Sequence, residues 1–593
     1  MGRVLLTAVF SLLSARVGDS MATTTSGGQR NTWRDSGLGA VIDFAVTSHA
    51  RAVALLALVA LIAFAPGQFS IPPIDRDEAR FAQATKQMIE SGDYVDIRFQ
   101  DVARYKKPVG IYWLQAGPVI AADTLGRRNA LTTIGLYRLP SLIGAIGAVL
   151  LTYWVALAFV SRRAAVLAGL MMASCMLLGV EARLAKTDAM LLATVLAAMG
   201  ALARAYVGGG RIKPGTAGWL IPAVFWTALA GGILIKGPLT VLFVGLTIAT
   251  LIVADRSWRW LLLLRPLPGI VWLALLVAPW FISILSRSGE AFVAESVGQD
   301  LLPKIFGGQE SHGFPPGLYF LLFWVTFWPA ATLAGMAAPA VWASRREKGA
   351  RFLLAWLVPA WIVFELVMTK LPHYVLPLYP AIAILIAGIL DSHRLSRKSW
   401  MVWGTAWWFV FPVLVVIGSI VGLIMFGRQL GVLAWPFAAG ALVLGLQAWR
   451  LYEADGAERS LLRAVAASIL ISIAVFGVVL PSLSALFPSL PLSRYLRGAD
   501  CPNPAIAAAG FHEPSLVYLV GTPTRLLDGA GAADFLRPGG CRFALVEARH
   551  ERTFLRRADA LGLRYAPGPR VDGYNFSTGR PVSIAIYRAD AGR

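Results

Sequence analysis

Charge is scarce in this sequence. Of its 593 residues only 15% are Asp, Glu, Lys or Arg, well short of the roughly one quarter usual in soluble domains, and this excludes an ordinary soluble globular protein. Acidic residues are scarcer than basic ones, 33 against 54. The net charge of +21 would suit a nucleic-acid partner if the basic residues were pooled. They fall instead in short clusters between apolar runs, which is the pattern of membrane orientation, so no nucleic-acid partner is expected. Cysteine is nearly missing, with three in the chain. No repeat relates the two halves, which argues against the paired-repeat plan of many transporters.

What is abundant is apolar: 57% of the residues are hydrophobic and the mean hydropathy is +0.64. Apolar stretches recur at 51–66, 133–160, 164–179, 189–207, 219–235, 239–254, 269–285, 317–343, 352–368, 375–390, 401–426, 432–449 and 462–486. Each approaches the ~20 residues that cross a ~30 Å hydrocarbon layer. The sequence thus predicts an α-helical polytopic membrane protein of about thirteen spans. Lys and Arg cluster in alternate links, for example at Arg162 and Arg163, at Arg345, Arg346 and Lys348, and at Arg394, Arg397 and Lys398. Those links belong in the cytoplasm, which sends the others, and the C-terminal tail, to the outer side. A short apolar run at residues 4–13 resembles a weak signal peptide, and Met21 is an equal alternative start. The expected organisation is a cytoplasmic segment at 1–48, a transmembrane domain at 49–487 with a long outward loop at 67–132, and an outward α/β domain at 488–593.

The outward loop is dense in charge at residues 74–113 and breaks the bias that the other links obey. An anionic lipid phosphate is one reason for a basic outward loop; translocation of long loops regardless of charge is another. In the tail, residues 515–520, 542–547 and 582–587 read as strands and 551–563 as a helix. Cys501 and Cys541 both lie there, where an oxidising compartment would let them pair.

Chemistry concentrates at the outer ends of the apolar stretches. Asp77 and Glu78 stand just beyond the first, where a carboxylate can act as general base and Arg80 can hold it ionised or meet a phosphate. The same acids could simply charge the first turn of an interfacial helix with Phe81, Ala84, Met88 and Ile89 on its apolar face. Lys106 and Lys107 precede Pro108 where the chain turns back toward lipid. Asp188 and Lys236 each stand alone at an apolar end, where a site explains them better than solvation does. Lys370, His373 and Tyr374 lie at another such end.

The stretch DEARFAQATKQMIESGDYVDIRFQDVARYKKPVGIYW resembles the first-loop signature of bacterial membrane glycosyltransferases of the protein O-mannosyltransferase superfamily (GT-C fold), nearest to the lipid A aminoarabinose transferases. Lys236-Gly237-Pro238 and the run KLPHYVLP at 370–377, similar to that family's KLPxYxLP, add to the resemblance. It implies an inverting transfer of a sugar from a polyprenyl phosphate donor to lipid A or another envelope acceptor, at the periplasmic face of the bacterial inner membrane. By motif, Asp77 matches the catalytic Asp, Arg80 the following Arg and Lys107 the phosphate-binding Lys. Asp188 resembles the second acid, and Lys236 and Tyr374 the donor-phosphate ligands. Lys106, His312, Lys370 and His373 fall on the acceptor or supporting side. Some members hold a divalent metal through a Glu before the KP lysine and a His of the large outward loop. Here Lys106 replaces that Glu, leaving His312 as the candidate ligand; no cofactor is required. A protein O-mannosyltransferase and a lipid-linked sugar flippase are the alternative readings.

Overall fold

The computed structural model describes residues 37–208, 217–301, 314–427, 429–501 and 503–590. They divide into two units between Leu55 and Leu56, and the second carries the site. His312 lies outside the described residues.

Each of the thirteen apolar stretches contains a helix. Among the described residues, nine helices are long and apolar enough to cross a bilayer. A tenth is bent, with Leu318–Thr326 and Ala331–Ala343 meeting at 119° and Pro329 in the break. His49–Phe64 and Leu239–Asp255 are shorter, and the stretch at 164–179 is divided into Arg162–Ala173 and Met176–Glu181. The expected thirteen spans therefore resolve into nine full-length helices, one bent pair and three short or divided ones. The chain is a multi-pass membrane protein. Prolines sit inside helices at Pro140, Pro222, Pro279 and Pro412, which lipid-embedded helices tolerate because packed neighbours satisfy the freed carbonyls.

The helices differ in how enclosed they are. Pro372–Asp391, Asp188–Val207 and Ile134–Ala156 have 89%, 67% and 61% of their most apolar window buried, against 17% for Pro266–Ser288 and for Ser399–Phe426. The last two expose Ile270, Val271, Leu275, Leu414, Ile417 and Ile424, a surface suited to lipid tails. Arg138, Asp188 and His373 lie on the enclosed three.

The charged loop folds into helix α1 (Asp77–Ser91), a short hairpin of Arg98–Phe99 against Val102–Ala103, and a helix from Gly110 to Thr124. Asp77 and Glu78 occupy the first turn of α1, where acids complement the dipole, and Gly92 closes it in the left-handed region at φ 72° with its N–H on the Met88 carbonyl. This helix does not float at an interface. Phe81, Ala84 and Met88 pack with Ile97, Tyr105, Val109, Tyr112, Trp280 and Phe292, while Ala82 on another side joins Tyr137, Ala185, Tyr518 and Leu519.

Tyr518 and Leu519 come from the tail, a five-stranded sheet flanked by helices. Its strands are β1 (Ala505–Ala509), β2 (Arg525–Leu527), β3 (Arg542–Glu547), β4 (Tyr565–Tyr574) and β5 (Pro581–Ala589), ordered β2-β1-β3-β5-β4. The β1 strand runs parallel to β2 and β3, and β5 is antiparallel to β3 and β4. The strands expected at 542–547 and 582–587 and the helix at 551–563 have counterparts in β3, β5 and Ala548–Ala560. Residues 515–520 do not form the expected strand. They belong to helix α2 (Pro514–Val520), because Pro514 at its start presets helical φ and a six-residue apolar run does not by itself separate the two structures. A disulfide joins Cys501 and Cys541, with Cα atoms 5.9 Å apart.

This α2 end of the tail grips α1. Lys86 Nζ donates to the Tyr518 carbonyl at 3.1 Å, Gln83 Nε2 to Thr522 Oγ1 at 2.8 Å, and Gln100 Nε2 to the Thr522 and Thr524 carbonyls at 3.0 and 2.6 Å. Thr522 Oγ1 in turn donates to Glu90 at 2.6 Å. The disulfide closes a 40-residue loop, so Cys501→Ser is expected to cost about 2–4 kcal/mol. Hydrogen exchange of β1 and β3 in the full-length protein, faster in the variant, checks this.

Candidate active site

The site begins with a buried ion pair. Glu78 is 1% exposed and Arg138, in the first turns of Ile134–Ala156, is 0% exposed. The Glu78 carboxylate accepts from Arg138 Nε at 2.7 Å and Nη2 at 2.8 Å, from Ala185 N at 2.9 Å and from Ile74 N at 2.9 Å. Arg138 spends its remaining donors on the Gln68, Ile71 and Pro72 carbonyls at 3.0, 2.8 and 3.1 Å. Every acceptor direction of Glu78 is engaged, which suits a clamp rather than a proton carrier. Its effect is positional: the start of α1 is pinned against residues 182–187, which lead directly into Asp188.

Asp188 opens the helix Asp188–Val207 and Lys236 closes Ala217–Lys236, so each charge sits at the helix end whose dipole favours it. The two ends meet, and Lys236 Nζ donates to Asp188 Oδ1. Lys186 Nζ lies 3.5 Å from Asp188 Oδ2 and 3.4 Å from Glu181 Oε2. The His373 ring bridges the two acids, with Nδ1 3.5 Å from Glu181 and Nε2 3.6 Å from Asp188. Lys236 Nζ also stands 5.7 Å over the Tyr374 ring. Lys107 acts electrostatically on His373, and Asp77 on Lys186, so both first-loop residues reach this cluster.

The structure thus brings together Asp77, Lys107, Asp188, Lys236, His373 and Tyr374. Asp77 is exposed and Lys107 half-buried. Arg80 is half-buried and interacts with Asp75. Lys106 is exposed. Lys370 is buried and donates to the Val367 carbonyl at 2.6 Å, a helix-end contact. Sequence reasoning gave no role to Glu181, Lys186, Arg138, Arg104 or Tyr112. The first two share the polar turn that ends in Asp188, and that proximity was the available signal. Arg104, set 5.2 Å over the Phe81 ring, and Tyr112, which interacts with Arg104 and Asp77, gave none.

Glu181, Asp188 and His373 offer donor atoms within 4.8 Å of one another, a ligand set suited to a divalent cation. The ammonium groups of Lys186 and Lys236 already occupy these carboxylates, and a cation there would meet both. The set does not fit a resident metal.

Backbone geometry sharpens the position of Asp77. Arg76, immediately before it, has φ 69° and ψ −116°, outside the regions an L-residue ordinarily adopts, at a cost of about 1–3 kcal/mol. Such strain persists only where the surroundings impose it.

Residues 120–288 match the model of the dolichyl-phosphate-mannose-protein mannosyltransferase family. The chain is 29% identical over 313 residues to an undecaprenyl phosphate-alpha-4-amino-4-deoxy-L-arabinose arabinosyl transferase of Erwinia tasmaniensis, covering 52% of this chain and 54% of that one. An enzyme of the same name from Edwardsiella ictaluri is 25% identical over 475 residues, 75% of this chain and 81% of that one. The chain spans about half the length of the first of these curated relatives. The crystal structure of ArnT from Cupriavidus metallidurans superposes with a TM-score of 0.70 at 19% identity, covering 91% of this chain and 98% of that one. The same protein bound to undecaprenyl phosphate gives 0.68 at 18%, covering 90% and 97%. The fold is similar to that of ArnT, and the matched sequence to the arabinosyl transferases.

One outcome follows from this geometry. Glu78→Ala leaves Arg138 buried without its partner and is expected to cost about 3–5 kcal/mol, read as a lowered thermal midpoint of the full-length protein in lipid nanodiscs.

Proposed function

We propose that this protein is an inverting glycosyltransferase that moves a sugar from a polyprenyl phosphate donor to lipid A or another lipopolysaccharide component, on the periplasmic face of the bacterial inner membrane. The proposed organisation is a cytoplasmic segment at 1–48, a transmembrane domain at 49–487 with its reactive loop at 67–132, and a periplasmic α/β domain at 488–593. The relatives' shared name favours a pentose, 4-amino-4-deoxy-L-arabinose, on undecaprenyl phosphate.

One observation carries the reading. Asp77 stands exposed, and its neighbour Glu78 is bonded to Ala185, in the turn that presents Lys186 and Asp188. A carboxylate open to an acceptor is thus fixed beside buried lysines suited to a phosphate. The acceptor oxygen attacks the anomeric carbon from the face opposite the phosphate, and the bond from that carbon to the phosphate oxygen breaks with its electron pair. Asp77 takes the acceptor's proton. Lys107, Lys236 and Arg80 stabilise the charge that builds on the departing polyprenyl phosphate without giving up protons themselves. Asp188 holds Lys236 and His373 in place, and Tyr374 supports Lys236 from below its ammonium group. His312 remains assigned to the acceptor side, with Lys106, Lys370 and His373 in supporting places.

The family match at residues 120–288 favours a second reading, in which the acceptor is a protein hydroxyl and the sugar mannose. Purified protein in nanodiscs, given undecaprenyl phosphate-linked 4-amino-4-deoxy-L-arabinose and lipid A, is expected to yield lipid A heavier by the pentosamine in mass spectra. Asp77→Asn should lower that rate by about 10²–10⁴-fold with undecaprenyl phosphate binding retained. Transfer to a peptide from a mannosyl donor, with lipid A unmodified, would favour the second reading.

A further inference from the structure

The residues on either side of Asp77 are held by different parts of the chain. Glu78 is fixed from the membrane side through Arg138 and Ala185. Asp75 and Arg76 are fixed from the tail. Asp75, 7% exposed, accepts from Ser515 N at 2.8 Å, at the start of α2. Arg76 Nη2 donates to the Ser577 carbonyl at 2.9 Å. The turn that offers this carbonyl is itself braced: Glu513, 8% exposed, accepts from Asn575 Nδ2 at 2.6 Å and from Ser577 Oγ at 2.7 Å. Asn575 Oδ1 accepts from Thr578 N at 2.9 Å.

We propose that the tail segments around Glu513–Ser515 and Asn575–Ser577 set the position of the Asp77 carboxylate, with Arg76 and Glu513 as positioning residues for sugar transfer. The proposal rests on Asp77 being the base. Arg76, at φ 69° and ψ −116°, directly precedes Asp77, and its side chain ends on the tail. The unusual φ of Arg76 thus lies between the Ile74 N–H bond to Glu78 and a side-chain contact that the tail supplies. Freed from it, the backbone at Arg76 relaxes toward a common conformation and Asp77, the first residue of α1, shifts while Glu78 stays clamped. Neither Arg76 nor Glu513 needs to touch a substrate for this to matter. A misplacement of about 1 Å costs a reaction on the order of a hundredfold.

The test compares wild type, Arg76→Ala, Arg76→Lys, Glu513→Ala and Asp77→Asn as full-length proteins in nanodiscs. Undecaprenyl phosphate-linked 4-amino-4-deoxy-L-arabinose and lipid A are the substrates, and binding of undecaprenyl phosphate and thermal midpoint are measured alongside. Arg76→Ala and Glu513→Ala are expected to lose about ten- to a hundredfold in kcat, with KM and undecaprenyl phosphate binding within about twofold of wild type. Arg76→Lys keeps a donor for the Ser577 carbonyl and should restore most of the rate. Wild-type kcat in Arg76→Ala and Glu513→Ala, beside an inactive Asp77→Asn, would overturn the positioning role alone. So would a loss in KM or binding rather than kcat, or a loss that Arg76→Lys does not recover. Full activity in Asp77→Asn would overturn the base assignment, and the positioning role with it.

Discussion

A carboxylate and a guanidinium buried against one another, Glu78 and Arg138, hold the remaining architecture in register. Neither charge could stay in so enclosed a place alone, and the pair is supportable because every donor and acceptor it presents is used. Its bonds reach the 67–72 segment, the start of α1, the helix Ile134–Ala156 and residue Ala185. Four pieces of chain distant in sequence are thereby fixed at one point. The polar turn at 181–188 cannot shift without disturbing α1, and α1 cannot tilt without exposing a charge.

Around that point the protein arranges opposite charges at opposite helix ends. Asp188 at an N-terminus and Lys236 at a C-terminus each gain from their own backbone dipole before they gain from one another. Lys186, Glu181 and His373 then complete a compact group in which cations and anions alternate. The acids that Lys186 and Lys236 contact hold both ammonium groups in place. The same alternation is what denies the acids to a metal ion.

Much of this was readable in the sequence. All thirteen helical stretches announce themselves by hydropathy, and Asp188 and Lys236 stand out because solvation explains a lone charge at an apolar end poorly; His373 and Tyr374 lie at another such end, whereas Asp77 is singled out by the resemblance of its loop, since its spacing alone equally suits the first turn of an interfacial helix. The role of Glu78 was not readable. Its adjacency to Asp77 made it look like a second acid, and only its partner, 60 residues away, shows what it does. Glu181 and Lys186 were hidden for a related reason: a polar turn between two helices looks solvated until its burial is known. In the tail, 515–520 was read as a strand because apolar β-branched and aromatic residues fill it, and tertiary packing against α1 together with Pro514 decides for a helix. The bent pair was hidden inside one continuous apolar run, since hydropathy carries no information about direction.

Arg76 and Ser577 touch across 501 residues of sequence. A ribosome working at about 5–20 residues per second adds that length in roughly 25–100 s, so the loop is made well before the segment that completes its setting. Throughout that interval the membrane helices can insert and the Arg138 clamp can close, yet the neighbourhood of Asp77 stays unfinished. The segment made 501 residues later is the one that finishes it.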